Sequence, residues 1–204
     1  MATELPDRFE LRHAATDHPT FVVVPARRMF AVYGLGDPRV AAFVLASDAL
    51  RATEERVRGH VQHATGRRIV AADLECAWWT HPEPAPEDLA ASFADRSTWH
   101  WQQMIEIPPE ATNEEAQASI DETRASFGRP MPPVRVIQFE EGRSAQILHL
   151  GGPADEHRSV VALYDAVARE GLHPHGHLHE IRLSDYERVP DHRARSILRL
   201  PIEA

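Results

Sequence analysis

Apolar and polar positions repeat with two different periods along this chain, and the period changes wherever glycine and proline cluster. FVVVPARRMFAVYGLGDP holds two short strand-like runs, Phe21 to Val24 and Met29 to Tyr33, followed by a glycine-rich corner that ends at Pro38. Beyond it Val40, Phe43, Val44, Ser47 and Leu50 fall at i, i+3, i+4, i+7 and i+10. That spacing draws one mostly apolar stripe and predicts a helix running to about Arg58. RIVAADLECAWWT reads as a strand, and STWHWQQMIEIP as another that stops at Pro108 and Pro109, because proline has no N–H to give to a ladder. Between them, HPEPAPEDLAASFADR carries three prolines and predicts a loop before a short helical turn. TNEEAQASIDETRASFG opens with Thr112 and Glu115 in capping-box spacing and closes at Gly128, which predicts a surface helix linking two halves.

The second half repeats the first in outline. RSAQILHLGGPADE is a strand and a glycine-rich corner, and EHRSVVALYDAVAREG places Val160, Leu163, Tyr164 and Val167 at helical spacing before Gly171. HLHEIRLSD and RSILRLPI are the two strands after it, and even the corners echo one another, GLGDP against LGGPAD. The pattern predicts an α+β fold of tandem βαββ units, about residues 20–110 and 134–204, joined by the helical linker into one domain over 1–204, with helices on one face of the sheet. A single irregular α+β domain with coincidental similarity between its halves is the alternative.

Composition narrows the function. The 204 residues can bury a full core. No apolar run of 18 or more residues is present, and MATELPDRFEL lacks the pattern of a secretory signal. The expectation is therefore a cytoplasmic protein with no membrane partner. A single cysteine, Cys76, excludes an internal disulfide. The formal charge of −9 argues against direct nucleic-acid binding. All 22 basic residues are arginine, which excludes Schiff-base chemistry, pyridoxal-phosphate attachment and a P-loop lysine.

The segment GLHPHGHLHEIRLSD sets His173, His175, His177 and His179 at every second position, with Glu180 behind them. On a strand, side chains two apart share a face roughly 6.5–7 Å from one another, so an H-x-H pair can reach one metal ion. Pro174 and Gly176 interrupt the run, however, and Leu183 stands where a zincin would need its second histidine. The expectation is no metal and no cofactor. A regular strand begins only near His177, where His177 and His179 share a face with Ile181 and Leu183, the predicted helix-packed side; Glu180 points the other way with Leu178 and Arg182. A carboxylate there either meets solvent beside an arginine or lines a concavity in which burial shifts its pKa.

All four tryptophans, Trp78, Trp79, Trp99 and Trp101, fall within one 24-residue window on two strands expected to be neighbours. Such a cluster either packs the core or offers flat contact area to a planar apolar ligand. GLGDPR lacks the third glycine of a dinucleotide fingerprint, and no G-x-S-x-G elbow occurs. Cys76 reads as inert packing. Glu156 reads either as a second carboxylate or as an acid favoured by a helix N-terminus.

Taken together, MFAVYGLGDP, LECAWWT, WHWQQMIEIP, AQILHLGGPADE, HEIRLSD and RSILRLPI resemble signatures of the GyrI-like small-molecule-binding proteins in their stand-alone form. The resemblance covers most of the chain and implies tandem βαββ units with pseudo-two-fold symmetry, an antiparallel sheet with helices on one face and a ligand pocket between the halves. It also implies that a strand glutamate, matched by Glu180, reaches into the pocket. The tryptophan strands look like those of a subfamily with an aromatic cage that hydrolyses the cyclopropane ring of planar DNA-alkylating natural products. The resemblance thus implies Trp78, Trp79, Trp99, Trp101, Glu180 and Arg182 as ligand-binding residues, and Glu180 as general base if the protein is a hydrolase. Two departures stand out. Gly151, Gly152 and Pro153 replace a Gly-Pro-Tyr sequence, so a tyrosine hydroxyl is missing, and Arg182 stands where tyrosine is usual, placed to pair with Glu180 and lower its pKa. Three functions follow: sequestration of planar hydrophobic xenobiotics, ring-opening hydrolysis, or service as the effector module of a transcription regulator whose DNA-binding part is separate.

Overall fold

The computed structural model describes residues 14–186 and 188–203, except for the side chain of residue 86. The strands are β1 (Thr20–Val24), β2 (Arg27–Leu35), β3 (Leu74–Trp79), β4 (His100–Glu106), β5 (Arg135–Phe139), β6 (Gly142–Leu150), β7 (His173–Pro174), β8 (Leu178–Arg182) and β9 (Arg195–Glu203). The helices are α1 (Ala41–Thr65), α2 (Leu89–Ala94), α3 (Asn113–Ser126) and α4 (Glu156–Arg169). The strands join in the order β1-β6-β9-β8-β3-β4-β2-β5, with β7 on β9, and every pairing is antiparallel. The order is that of two βαββ units, β2-α1-β3-β4 and β6-α4-β8-β9, set back to back so that β3 and β8 meet at the seam. The leading strands are exchanged: β1 crosses to β6 of the second unit, and β5 to β2 of the first.

Register assigns every strand side chain to a face. Cys76 lies between Gln103 and Glu180, and Trp78 between Trp101 and Leu178; Glu180 in turn pairs with Leu198. Cys76, Trp78, Trp101 and Leu198 belong to the main core, which also holds Phe30, Phe43, Leu50, Val160 and Leu163. Glu180 therefore points into the helix-covered face, and His179 and Ile181 point away from it, which inverts the expectation. The alternation misleads here because β8 is buried on both faces: His179, Glu180 and Ile181 are all at most 2% exposed. Ile181 packs with Ile197 and Ala15 in a small separate cluster, and Met29, Ala31, Ala77 and Met104 form another.

Helix α1 runs seven residues past the expected end, to Thr65, and is capped by Gly66, whose left-handed φ of 66° lets its N–H reach the Gln62 carbonyl. Its buried stripe is Phe43, Ala46, Leu50, Thr53, Val57 and Val61, while Val40 and Val44 are 42% and 39% exposed. Phe43 and Leu50 lie on the expected stripe, but its other buried positions include Ala46 and Thr53 rather than Val40 and Val44, so apolarity alone misplaced part of it. The strand expected over RIVAADLECAWWT is confined to Leu74–Trp79. Helix α3 starts with the anticipated capping box: Thr112 Oγ1 accepts from the Glu115 N–H at 3.1 Å, and Glu115 accepts from the Thr112 N–H at 2.7 Å. Among the described residues, no helix is long and apolar enough to cross a membrane.

Candidate functional site

The seam places two carboxylates beneath the helix layer. Glu180, at the centre of β8, is 1% exposed. Its Oε2 accepts from Trp78 Nε1 at 2.9 Å, and its Oε1 from Arg182 Nε at 3.0 Å. Burial pushes this carboxyl up, but Arg182, Arg96 and the indole N–H outweigh it, so its pKa lies below the ordinary carboxylate value and the group is ionised. The anticipated pairing with Arg182 is present, on the helix-covered face.

Glu156 opens α4 and is likewise 1% exposed. Its Oε2 accepts from Arg96 Nη2 at 2.9 Å, and Ser196 Oγ lies 3.5 Å from its Oε1. Burial, and then the charge of Glu180, push its pKa up to about 8. A solvated helix N-terminal acid would behave in the opposite way, since the dipole favours its ionised form. Burial thus pushes Glu156 toward its neutral form while the arginines hold Glu180 ionised, so the two environments set the carboxyls apart.

Aromatic rings surround the pair. Arg96, in the turn between α2 and β4, has its guanidinium carbon 4.5 Å from the Phe93 ring centroid, 5.1 Å from Trp78 and 5.2 Å from Trp99. Trp78 meets Trp99 edge-on at 6.0 Å and stacks on Phe43 at 5.4 Å. Arg182 lies between Phe43 and Tyr186, at 5.2 and 5.0 Å. The Tyr186 phenol is pushed up by burial and by the charges of Glu180 and Glu156, so it remains a donor.

The tryptophans divide by position. Trp78 donates to Glu180, and Trp99 faces Arg96 and donates from its Nε1 to Ser92 Oγ at 3.0 Å. Trp101, 2% exposed, is core packing: it lies edge-on to Phe43 and so close over Gly34 that a Cβ there would come within 2.1 Å of its ring. Trp79 turns to the other face, as its neighbour Trp78 requires, and stacks between His177 at 4.2 Å and His100 at 5.6 Å.

Two hollows flank the cluster. A cavity of about 30 Å³, room for water only, is lined by Trp78, Trp79, Trp99, Phe93, Val160 and Tyr164, among others. A cleft of about 370 Å³, within the range of small-molecule sites, lies between the two glycine-rich corners and is lined by Asp37, Pro38, Phe93, Arg96, Pro153 and Asp191, among others. Phe93 borders both, and Arg96 stands between the cleft and Glu156.

The histidine run is dispersed. His173 and His175 are exposed on and beside β7, His177 covers Trp79, and His179 is enclosed on the far face, with Nδ1 2.8 Å from Glu141 and Nε2 3.1 Å from Glu75. No group of three or more metal-ligating side chains occurs among the described residues. Cys76 is fully buried, and burial raises its thiol pKa, which keeps it unreactive. Sequence reasoning missed Arg96 and Tyr186, which lie in turns without a motif, and the burial of Glu156, which only the packing of α4 against the seam creates.

No family model and no curated protein matches the sequence. Solved structures share its fold. An uncharacterized conserved protein from Listeria innocua is 24% identical with a TM-score of 0.83, over 95% of this chain and 96% of that one. A hydrolase encoded by lin2189 from Listeria innocua is 23% identical with a TM-score of 0.79, over 95% and 96% of the two chains. The EcmrR C-terminal domain is 10% identical with a TM-score of 0.53, over 91% and 97%. The chain therefore has the tandem βαββ fold found in hydrolase-named proteins and in a domain of EcmrR.

Proposed function

We propose that this protein is a GyrI-like protein that binds flat, largely apolar small molecules at the seam between its halves, against Phe93, Trp78 and Trp99 and within reach of the Glu156–Glu180 pair. The observation that carries this reading is the ligand-sized cleft between the two corners, separated from the buried acid pair only by Arg96 and its aromatic neighbours. Sequestration of a planar xenobiotic needs no more than this. Titration with polycyclic aromatic compounds, followed by intrinsic tryptophan fluorescence and thermal shift, tests it. The reading requires saturable quenching and stabilisation by some members, and it fails if none produces either.

The split protonation of the acid pair favours a second reading, hydrolytic opening of a strained cyclopropane ring conjugated to a carbonyl. Glu180 takes a proton from water as its oxygen bonds to the ring methylene. The ring C–C bond breaks, its electron pair moves into the conjugated system, and the carbonyl oxygen takes the proton of Glu156. Water has then been added across the bond, and a proton passing from Glu180 to Glu156 restores the pair. General base and general acid catalysis each contribute about 10²–10⁴-fold, so Glu180→Gln and Glu156→Gln should each lower turnover by about that factor. Mass spectrometry of a cyclopropane-bearing alkylator incubated with the three proteins measures it; equal turnover by all three removes the pair from the chemistry. The acid role also predicts an alkaline limb near pH 8, where Glu156 loses its proton.

A further inference from the structure

We propose that Arg96 sets the charge class of the ligand: its guanidinium fills the aromatic cage that a cationic ligand would need, so the site takes flat neutral or anionic molecules carrying a hydrogen-bond acceptor and turns cations away. The inference rests on the binding reading above and deepens it.

The geometry supporting it is local. A cage of three rings facing one point attracts a cation through the negative faces of the rings. Here Phe93, Trp78 and Trp99 present that cage, and the guanidinium carbon of Arg96 sits 4.5–5.2 Å from all three centroids. Arg96 is also anchored, donating from Nη2 to Glu156 Oε2 and to the Pro153 carbonyl, both at 2.9 Å, and it is 4% exposed. The second cation position, between Phe43 and Tyr186, is filled by Arg182, which is bonded to Glu180. Both carboxylates that a cationic ligand would seek are thus already matched by the protein's own guanidiniums.

Charge counting gives the same result. Arg96 and Arg182 face Glu156 and Glu180, so the cluster is neutral at most alkaline and positive whenever one carboxyl holds a proton; it is never negative. At the mouth of the cleft Asp37 is held by Arg39 at 2.7 Å, which leaves Asp191 as the acid of that lining beside the Arg96 guanidinium. An incoming cation would meet a guanidinium at close range in a poorly solvated setting, where like charges repel most strongly. A carbonyl or carboxylate on the ligand would instead find the planar donor array of Arg96, suited to bidentate contact.

Three probes sharing one tricyclic frame isolate the charge: acridone (neutral), acridine-9-carboxylate (anionic) and 9-aminoacridine (cationic at neutral pH). Dissociation constants come from tryptophan quenching of the wild type, Arg96→Met and Arg96→Lys. The wild type should bind acridone and the carboxylate at least about tenfold more tightly than 9-aminoacridine. Arg96→Met should gain affinity for the cation and lose that order, while Arg96→Lys keeps it. The charge rule is overturned if the wild type binds the cation equally well or best, a result that needs no variant to fold, or if Arg96→Met leaves the order of the three unchanged. Should none of the three probes quench the wild type, the binding reading itself falls.

Discussion

At the scale of single residues, the site depends on environment more than on residue type. Glu180 and Glu156 are chemically identical, yet Glu180 receives an indole N–H and a guanidinium, while Glu156 is raised by burial and by its neighbour's charge. The pairing of Glu180 with Arg182 was legible from their spacing on one strand, whereas the face they share was not. Glu156 was legible only as a helix-start acid, because nothing local announces that α4 packs its first residue under the sheet. Arg96 was invisible: it lies in a turn, and its significance comes from Phe93, Trp78 and Trp99 meeting around it. Gly34 shows the reverse case, a small residue whose role becomes plain once Trp101 is located across the ladder. A methyl group at Gly34 would come within 2.1 Å of the indole, and overpacking of a tight core typically costs about 1–3 kcal/mol. Gly34→Ala should therefore lower the unfolding free energy read from chemical denaturation by about that amount, whereas an unchanged value would mean that Trp101 is not packed as described.

At the scale of elements, the sequence showed where strands and helices occur but not always which side they bury. The capping box of α3 and the closing glycines of α3 and α4 were readable because their signals lie within a few residues. Facing was harder. β8 alternates His179 and Ile181 with Leu178, Glu180 and Arg182, and an ordinary half-exposed strand would turn the isoleucine inward. This strand is central and covered on both sides. On the face away from the helices, Arg27 of β2 grips Glu75 with both terminal nitrogens at 2.8 Å and reaches Glu106 at 3.2 Å, while Arg199 of β9 reaches Glu141 at 3.3 Å. His179 between Glu75 and Glu141 supplies the third cation against three carboxylates. Burial opposes its protonation, but the two carboxylates outweigh it and raise its pKa above the ordinary 6.5. A raised pKa gives stability that is complete below the unfolded value and lost as pH rises through the folded one. Thermal unfolding should thus occur at lower temperature at about pH 9 than at about pH 6. His179→Gln should be the less stable protein at about pH 6 and lose less on the alkaline side; an identical slope in both proteins would remove His179 from this balance.

At the scale of the whole molecule, the two βαββ units together form the candidate site. Each βαββ unit contributes a glycine-rich corner to the cleft, a seam strand to the sheet and one arginine of the aromatic cluster: Arg96 from the first unit and Arg182 from the second. The repeat was readable from the echo of GLGDP in LGGPAD, because duplication preserves sequence signals within each unit. The contact between units was not readable, since it is made by side chains far apart in sequence, such as Arg96 and Glu156. The central claim is that burial and the charge of Glu180 raise the Glu156 carboxyl while the arginines and the Trp78 indole keep Glu180 ionised. Carboxyl ¹³C NMR of glutamate-labelled protein across the pH range measures this directly, with Glu156→Gln and Glu180→Gln assigning the signals. The account predicts one glutamate resonance that keeps its proton until about pH 8 and is lost in Glu156→Gln, and a second that stays ionised below the usual carboxylate range and is lost in Glu180→Gln. Two resonances titrating together at the ordinary glutamate value would contradict it.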